Sequence, residues 1–297
     1  MRILTNPGSN LGEEVEHDLD IDVTPQKIVV DGISHDTRNA VDLRKVDKWV
    51  ATAAKHPFVQ GTTEAEFDEA FSRLLRKDPE VLAVMTSRQL IGSHDAAVAA
   101  AAKLQRSNDK QLQAGRIEVV DTTVTDVGAG LVTLAAAQWR KAGLPLEKVA
   151  EACRAFVKGG RSIITVATLE NLIKGGRASW LQGWVANFLN VRPLLSFDGG
   201  KAVSVGRMSG SADPARRAFD WLAERFEPKK RVWLAIAHGD VEPLARQAEA
   251  LLKAHFTVEV SMVRALCPSI YLHVGRGGLA VFLHPLDGLP QPLTPPM

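Results

Sequence analysis

The sequence predicts an α/β fold with two domains. At 297 residues the chain exceeds one typical core. Strand, small-residue turn and helix alternate in the first half, whereas the second half mixes a hairpin and single strands with amphipathic helices. We expect an N-terminal α/β domain over residues 1–159, built on a mostly parallel sheet with helices on both faces. A C-terminal α/β domain with a mixed sheet and flanking helices follows over residues 160–287, and 288–297 form a proline-rich tail.

Apolar runs and helical patterns alternate in the first half of the chain. Residues 81–87 and 117–122 are compact apolar runs, typical of strands buried on both faces. A small-residue turn and a helix follow each one, which favours right-handed crossovers between parallel strands. The remaining elements expected here are strands at 1–5 and 28–30 and helices at 42–55, 64–76, 95–105 and 131–143.

The second half of the chain has a different order of elements. LLSF and KAVSVGRM flank Asp198-Gly199-Gly200, which predicts an antiparallel hairpin. Two amphipathic helices, over 212–226 and 241–256, flank a strand at 232–238. We also expect strands at 161–167, 258–263 and 279–284 and a short helix at 168–174, so the sheet is predicted to be mixed.

Composition and charge exclude several classes of protein. The net charge of +2 does not indicate a nucleic-acid binder, and charges interrupt every apolar run before it reaches membrane-spanning length. Cys153 and Cys267 are far apart, and the eight histidines are scattered, so neither a disulfide nor a metal site is expected. The first ten residues lack the apolar core of a signal peptide, so we expect a cytoplasmic protein without integral membrane contact.

Four stretches fall where ligands collect in α/β sheets, at the carboxyl ends of strands. They are residues 5–9, 86–93, 121–130 and 175–193, and the first three are rich in glycine and hydroxyl residues. Such residues can bind a polar or anionic group without a metal, but they are equally typical of turns and helix caps. None contains a phosphate-binding loop or a complete dinucleotide motif.

Basic residues near the fourth stretch are candidates for anion binding. Arg177 follows a glycine pair, and Arg192 lies between apolar residues, where it either extends to solvent or enters a cleft. His273 precedes a glycine-rich turn and could bind a carboxylate or phosphate, although a lone histidine is more often structural.

Several of these motifs resemble the DegV family in order and spacing. The segment from Leu169 to Arg177, with its Gly-Gly-Arg, and the segment LNVRPLL ending at Leu195 are similar to that family's "GGR" and "N-x-[KR]-P" stretch. Further stretches resemble motifs of the same family: TNPGSNL, Asp31-Gly32, Ser87 to Ser93, Asp121 to Gly130, Arg207 and His273 to Gly277. The resemblance extends over nearly the whole chain.

The resemblance implies a two-domain α/β carrier that holds a long-chain fatty acid, with its tail buried and its carboxylate at the interdomain cleft. Trp180, Trp184, Phe188 and Leu189 would pack around the tunnel. Some relatives pass the acid to a fatty acid kinase, which is the partner implied here. No catalytic residue, metal or cofactor is expected. The ligand-binding residues that it implies are Thr62, Thr63, Ser87, Gly92, Ser93, Arg177, Arg192, His273, Gly275 and Arg276.

The sequence departs from the family pattern where the carboxylate would bind. Val59 and Gln60 stand where the family has Thr-Ser, Ile91 replaces a serine, and Arg276 replaces a proline. An uncharged lipid or a head group held by Arg276 therefore remains open. Two other functions also remain: an enzyme that binds a small anionic metabolite through Arg177, Arg192 and His273, or a module whose ligand site is filled by Val59 and Ile91.

Overall fold

The structure of the protein, a computed structural model, describes residues 1–37, 42–176 and 191–290. Its strands are β1 (Arg2–Thr5), β2 (Ile21–Val23), β3 (Lys27–Val30), β4 (Ile33–Asp36), β5 (Phe58–Gln60), β6 (Glu80–Met85), β7 (Arg116–Asp121), β8 (Arg161–Thr165), β9 (Val191–Asp198), β10 (Lys201–Ser209), β11 (Arg231–His238), β12 (Thr257–Ala265) and β13 (Leu279–Pro285). Its helices are α1 (Glu13–Asp18), α2 (Leu43–Thr52), α3 (Glu64–Leu75), α4 (Ser93–Leu104), α5 (Lys110–Ala114), α6 (Val127–Lys141), α7 (Leu146–Gly159), α8 (Glu170–Lys174), α9 (Pro214–Ala223), α10 (Glu242–His255) and α11 (Pro268–Val274). A short 3₁₀ turn covers Pro7–Ser9.

The first sheet is parallel throughout, in the order β2-β1-β6-β7. Five of the six residues of β6 are buried because α3 and α4 cover one face of the sheet while α6 and α7 cover the other. A strand enclosed in this way needs apolar residues at successive positions, which is the pattern that predicted it. The expected parallel sheet with helices on both faces is confirmed.

The second sheet is mixed, in the order β10-β9-β8-β13-β11-β12. β11 and β12 are parallel, and the other pairs are antiparallel, including the predicted hairpin of β9 and β10. One face packs on α9 and α10 and the other on α6 and α7, so the mixed sheet with flanking helices is also confirmed. The sequence analysis assigned no element to α7.

Helices α6 and α7 lie between the two sheets and contact both of them. Phe156 on α7 shows this arrangement, since its ring meets Trp139 of α6 and Trp233 of β11 edge-on, with centroids 6.2 and 5.9 Å apart. Because one core joins the sheets, the boundary near residue 159 stays a prediction.

A third, antiparallel sheet of order β4-β3-β5 lies beside these layers. Together with the turns after β1, β6 and β7, it forms one side of a cleft whose other side is the second sheet and α11. In the described part of the chain, every helix is too short or too polar to cross a membrane.

Candidate functional site

A cavity with an empty volume of about 810 Å³, which includes its open mouth, lies between the two halves of the chain. The lining is predominantly apolar: Val59, Leu90, Ile91, Ile164, Leu172, Leu195, Phe197, Ala202, Ile270, Val274, Ala280 and Phe282. Val59 and Ile91 both form part of this wall.

Polar side chains occupy a minority of the cavity wall. They are Gln26, Thr86, Thr125, Asp126, Ser269 and His273. Thr86 is fixed by Asn6, whose Nδ2 donates to the threonine Oγ1 at 3.0 Å and whose Oδ1 accepts from the Thr86 N–H at 3.2 Å. Of the six, His273 was identified individually from the sequence. Thr86, Thr125 and Asp126 fell within the predicted strand-end stretches, and Gln26 and Ser269 carried no signal.

Asp126 is a fully buried carboxylate at the N-terminus of α6. Its side chain accepts hydrogen bonds from Asn10 Nδ2 (2.9 Å), the Val127 N–H (2.8 Å) and the Cys267 N–H (3.1 Å). Burial nevertheless raises the pKa of this carboxyl, because the charged form is removed from water. Its φ of +54° is stabilised by these contacts.

The glycine that follows Asp126 by two residues is required by close packing. A Cβ added to Gly128 would overlap the ring of Phe282, which lines the cavity from the second sheet. The small-residue turn at 121–130 therefore lets α6 approach this sheet closely.

The family resemblance implies four ligand-binding residues in one region beside the cavity: Thr62, Thr63, Gly92 and Ser93. Their hydroxyl groups form hydrogen bonds within the protein. Thr62 is buried and donates from Oγ1 to the Pro25 carbonyl at 2.8 Å, while its N–H donates to Ser93 Oγ at 3.1 Å. Thr63 is exposed and forms a capping box with Glu66 at the start of α3. Gly92 is the exposed N-cap of α4. None of these four residues lines the cavity. Among the described residues, the nearby ones that do are Gln26, Val59 and Ile91.

Ser87 and Arg192 lie near the junction of the two halves. The Ser87 hydroxyl is buried and donates to the Gly200 carbonyl at 2.7 Å, which connects the end of β6 to the β9–β10 hairpin. Arg192 is half-buried on β9, opposite Met208 of β10, and is not one of the residues that line the cavity.

The C-terminal candidates are divided between the cavity and the surface. His273 is buried on α11 and lines the cavity, and a Cβ added to Gly175 would overlap its ring. The first glycine of the Gly-Gly-Arg motif is thus explained by this contact, while Arg177 and residues 180–189 lie outside the described residues. Gly275 ends α11 with a φ of +74°, which favours glycine.

Arg276 is not among the residues that line the cavity, and its side chain is 61% exposed. It pairs with Asp240 at 2.5 Å, and its Nε lies 3.9 Å from Asp47. Tyr271 also donates to Asp47, at 3.0 Å, and burial beside this carboxylate raises the Tyr271 pKa to about 12. These contacts join α11 to α2. Within the described ranges, no group of His, Cys, Asp and Glu side chains is placed to hold a metal ion.

Comparison with known proteins gives the family. The sequence matches the family described as uncharacterised proteins of the DegV family over residues 1–286. A DegV domain-containing protein of Mycobacterium tuberculosis is 30% identical over 283 residues, which cover 94% of this chain and 95% of the relative.

Two solved structures show the same fold over almost their whole length. A DegV family protein of Thermus thermophilus, described as binding fatty acid, has a TM-score of 0.86 at 24% identity and covers 96% of this chain and 100% of its own. One from Ruminococcus gnavus, described with vaccenic acid, has a TM-score of 0.84 at 20% identity, with 95% and 98% covered. The chain therefore belongs to the DegV family.

Proposed function

We propose that this protein binds a long-chain fatty acid in the cavity between its two halves and acts as a carrier. The observation that carries the proposal is the apolar lining of this cavity, which is formed by both halves of the chain. Family relatives of the same fold are described as fatty-acid-binding proteins, which supports the same ligand class here.

Burial of an acyl chain against an apolar wall would supply the free energy of binding. Burial of a methylene group contributes about 0.8 kcal/mol, so a chain of about sixteen carbons can offset the cost of association with few polar contacts. We place the carboxyl end near the polar part of the wall, where His273 is the predicted head-group residue that lines the cavity. We also propose that Ser87, Arg177 and Arg192 contact the carboxyl end of the ligand. Thr62 and Ser93 would require rearrangement of their mutual hydrogen bond.

Lipid extraction tests the proposal directly. Purified protein is expected to release fatty acid detectable by mass spectrometry, or to bind added palmitate after delipidation. Ala202 on β10 lines the cavity, so Ala202→Trp should fill part of it and weaken palmitate binding by at least about tenfold. Val203→Trp is the matched control, because neighbouring strand residues point to opposite faces of the sheet. Protein that yields no lipid and does not bind palmitate would contradict the proposal.

We further propose that the protein presents its bound acid to a fatty acid kinase in the cytoplasm. This part of the proposal rests on the family resemblance. Reconstitution with a fatty acid kinase and ATP should convert protein-bound palmitate to acyl phosphate, whereas the Ala202→Trp variant should not support turnover.

A further inference from the structure

The side chain of Gln26 is a polar group inside the cavity wall that has an unused acceptor. Gln26 is 3% exposed and lines the cavity from the segment that joins β2 to β3. Its side-chain oxygen, Oε1, accepts no hydrogen bond from any residue in the described part of the chain. A buried amide oxygen without a donor loses its hydration without compensation, which is uncommon in folded proteins.

Neighbouring hydroxyl groups do not satisfy this oxygen, because they bond elsewhere. Thr62 donates to the Pro25 carbonyl, and Thr24 and Thr62 share a hydrogen bond of 2.8 Å between their hydroxyls. Thr37 donates from both its N–H and its Oγ1 to the backbone carbonyl of Gln26, each at 3.0 Å. These last two bonds fix the Gln26 backbone beside the cavity.

The charges of the cavity wall favour an uncharged ligand group at this position. The titratable groups of the described lining are Asp126 and His273, and no lysine or arginine is among these lining residues. A carboxylate has only acceptor atoms, so it could pair only with the Nε2 amide hydrogens of Gln26 and would leave Oε1 without a donor. A hydroxyl group both donates and accepts, so it suits the glutamine amide in either orientation.

We propose that Gln26 determines the specificity of the cavity by accepting a hydrogen bond from an O–H group of the acyl ligand. This inference rests on the proposed function and narrows its substrate class. The O–H group has two sources: the protonated carboxyl of a fatty acid, or the hydroxyl of an acyl alcohol. Both present the same donor to Oε1, and they differ in how their binding depends on pH.

The test compares three C16 ligands on the delipidated full-length protein: hexadecanoic acid, hexadecan-1-ol and methyl hexadecanoate, which has no donor. Affinities are measured by displacement of a fluorescent C11 acyl probe. We expect at least one O–H ligand to bind about tenfold more tightly than the methyl ester, since pairing a buried acceptor restores its lost hydrogen bond. Gln26→Met retains side-chain length but removes the acceptor, and it should abolish this preference.

The pH dependence identifies the source of the donor. If it is the acid itself, the affinity for hexadecanoic acid relative to hexadecan-1-ol should fall as the pH rises and the ligand ionises. The alcohol serves as the reference because it does not ionise, so its pH dependence reports changes in the protein alone. If the alcohol binds more tightly and the ratio of the two affinities does not change with pH, the donor is the hydroxyl of an acyl alcohol.

Ser196→Ala is the matched control, because this buried hydroxyl donates to the Ser162 carbonyl at 2.6 Å and is not among the residues that line the cavity. It should lower stability and leave ligand preference unchanged. Equal affinity of wild-type protein for the methyl ester and both O–H ligands would overturn the role of Gln26, and so would an unchanged preference in folded Gln26→Met. Failure of all three ligands to bind would instead overturn the proposed acyl-binding function, and this inference with it.

Discussion

Asp126 accepts a hydrogen bond at 3.1 Å from the backbone N–H of Cys267, although 141 residues separate them in sequence. Asn10 extends the connection, since its Nδ2 donates both to Asp126 and, at 2.8 Å, to the carbonyl of Ala265. The turn after β7 is thereby tied to the end of β12 and the start of α11. One buried carboxylate thus holds together the segments that form opposite sides of the cavity.

Replacing this carboxylate should destabilise the fold strongly. Asp126→Ala removes the acceptor of Asn10 Nδ2 and of the Val127 and Cys267 N–H groups, so we expect a loss of about 3 kcal/mol in the free energy of unfolding. Urea denaturation followed by circular dichroism measures it. Asp109→Ala, which removes a partly exposed cap of α5, should cost clearly less. Equal losses in the two variants would show that the Asp126 contacts contribute little.

Gly128 should tolerate no side chain without movement of Phe282. Gly128→Ala inserts a methyl group against this ring, and such overpacking costs about 1–3 kcal/mol. Because Phe282 lines the cavity, palmitate affinity should fall as well. Both quantities can be obtained from thermal melts with and without palmitate. Gly159→Ala at the end of α7 is the control, since no atom lies within 4 Å of its added Cβ, and it should leave both unchanged.

The hydrogen bond from Thr62 to Ser93 has a structural role that can be separated from ligand contact. Ser93→Ala leaves the buried Thr62 N–H without its acceptor, so unfolding free energy should fall by about 1–2 kcal/mol. Denaturation of the ligand-free protein measures this loss. Palmitate titration of the folded variant then reports the second role: reduced affinity would show that Ser93 also contacts the head group.

Acidification should unfold the protein partly through His284. This buried imidazole stacks on Phe156, with centroids 4.2 Å apart, and its Nδ1 donates to the Phe156 carbonyl at 3.0 Å. Burial lowers its pKa from 6.5 to about 4, so the unfolded chain binds the proton more readily than the folded one. The stability that the neutral form provides is complete above pH 6.5 and is lost as the pH falls towards 4, by about 3 kcal/mol at most.

The contribution of this histidine is isolated by difference. Unfolding free energies of wild-type protein and His284→Gln are compared between pH 4 and 8, because the other histidines contribute equally to both. The variant should be less stable at neutral pH, with a shallower decline below pH 6.5. Parallel curves for the two proteins would show that His284 does not titrate in this interval.

Local sequence patterns were sufficient to predict most elements of the fold. Apolar runs such as 81–87 predicted the enclosed parallel strands, and the Asp198-Gly199-Gly200 turn predicted the hairpin of β9 and β10. These signals are local because strand burial and turn conformation depend on neighbouring residues. α7 was missed, although its apolar residues at Val149, Cys153 and Phe156 repeat at helical spacing.

The candidate site was predicted less completely than the fold. Family motifs identified His273 and the glycine-rich turn that follows it. The structure places this histidine in the cavity wall. They did not identify Gln26 or Asp126, because whether a polar side chain has a partner depends on residues that are distant in sequence. The same limit applies to Arg276, whose ion pairs with Asp240 and Asp47 could not be read from its own segment.

The sequence by itself determined most of the strands and helices, the types of the two larger sheets and the family. Only the tertiary structure decided which polar groups face the cavity and which are satisfied by the protein, as Gln26 and Thr62 illustrate. The physical reason is that periodicity and turn chemistry act over a few residues, whereas burial and hydrogen-bond satisfaction are set by packing between distant segments.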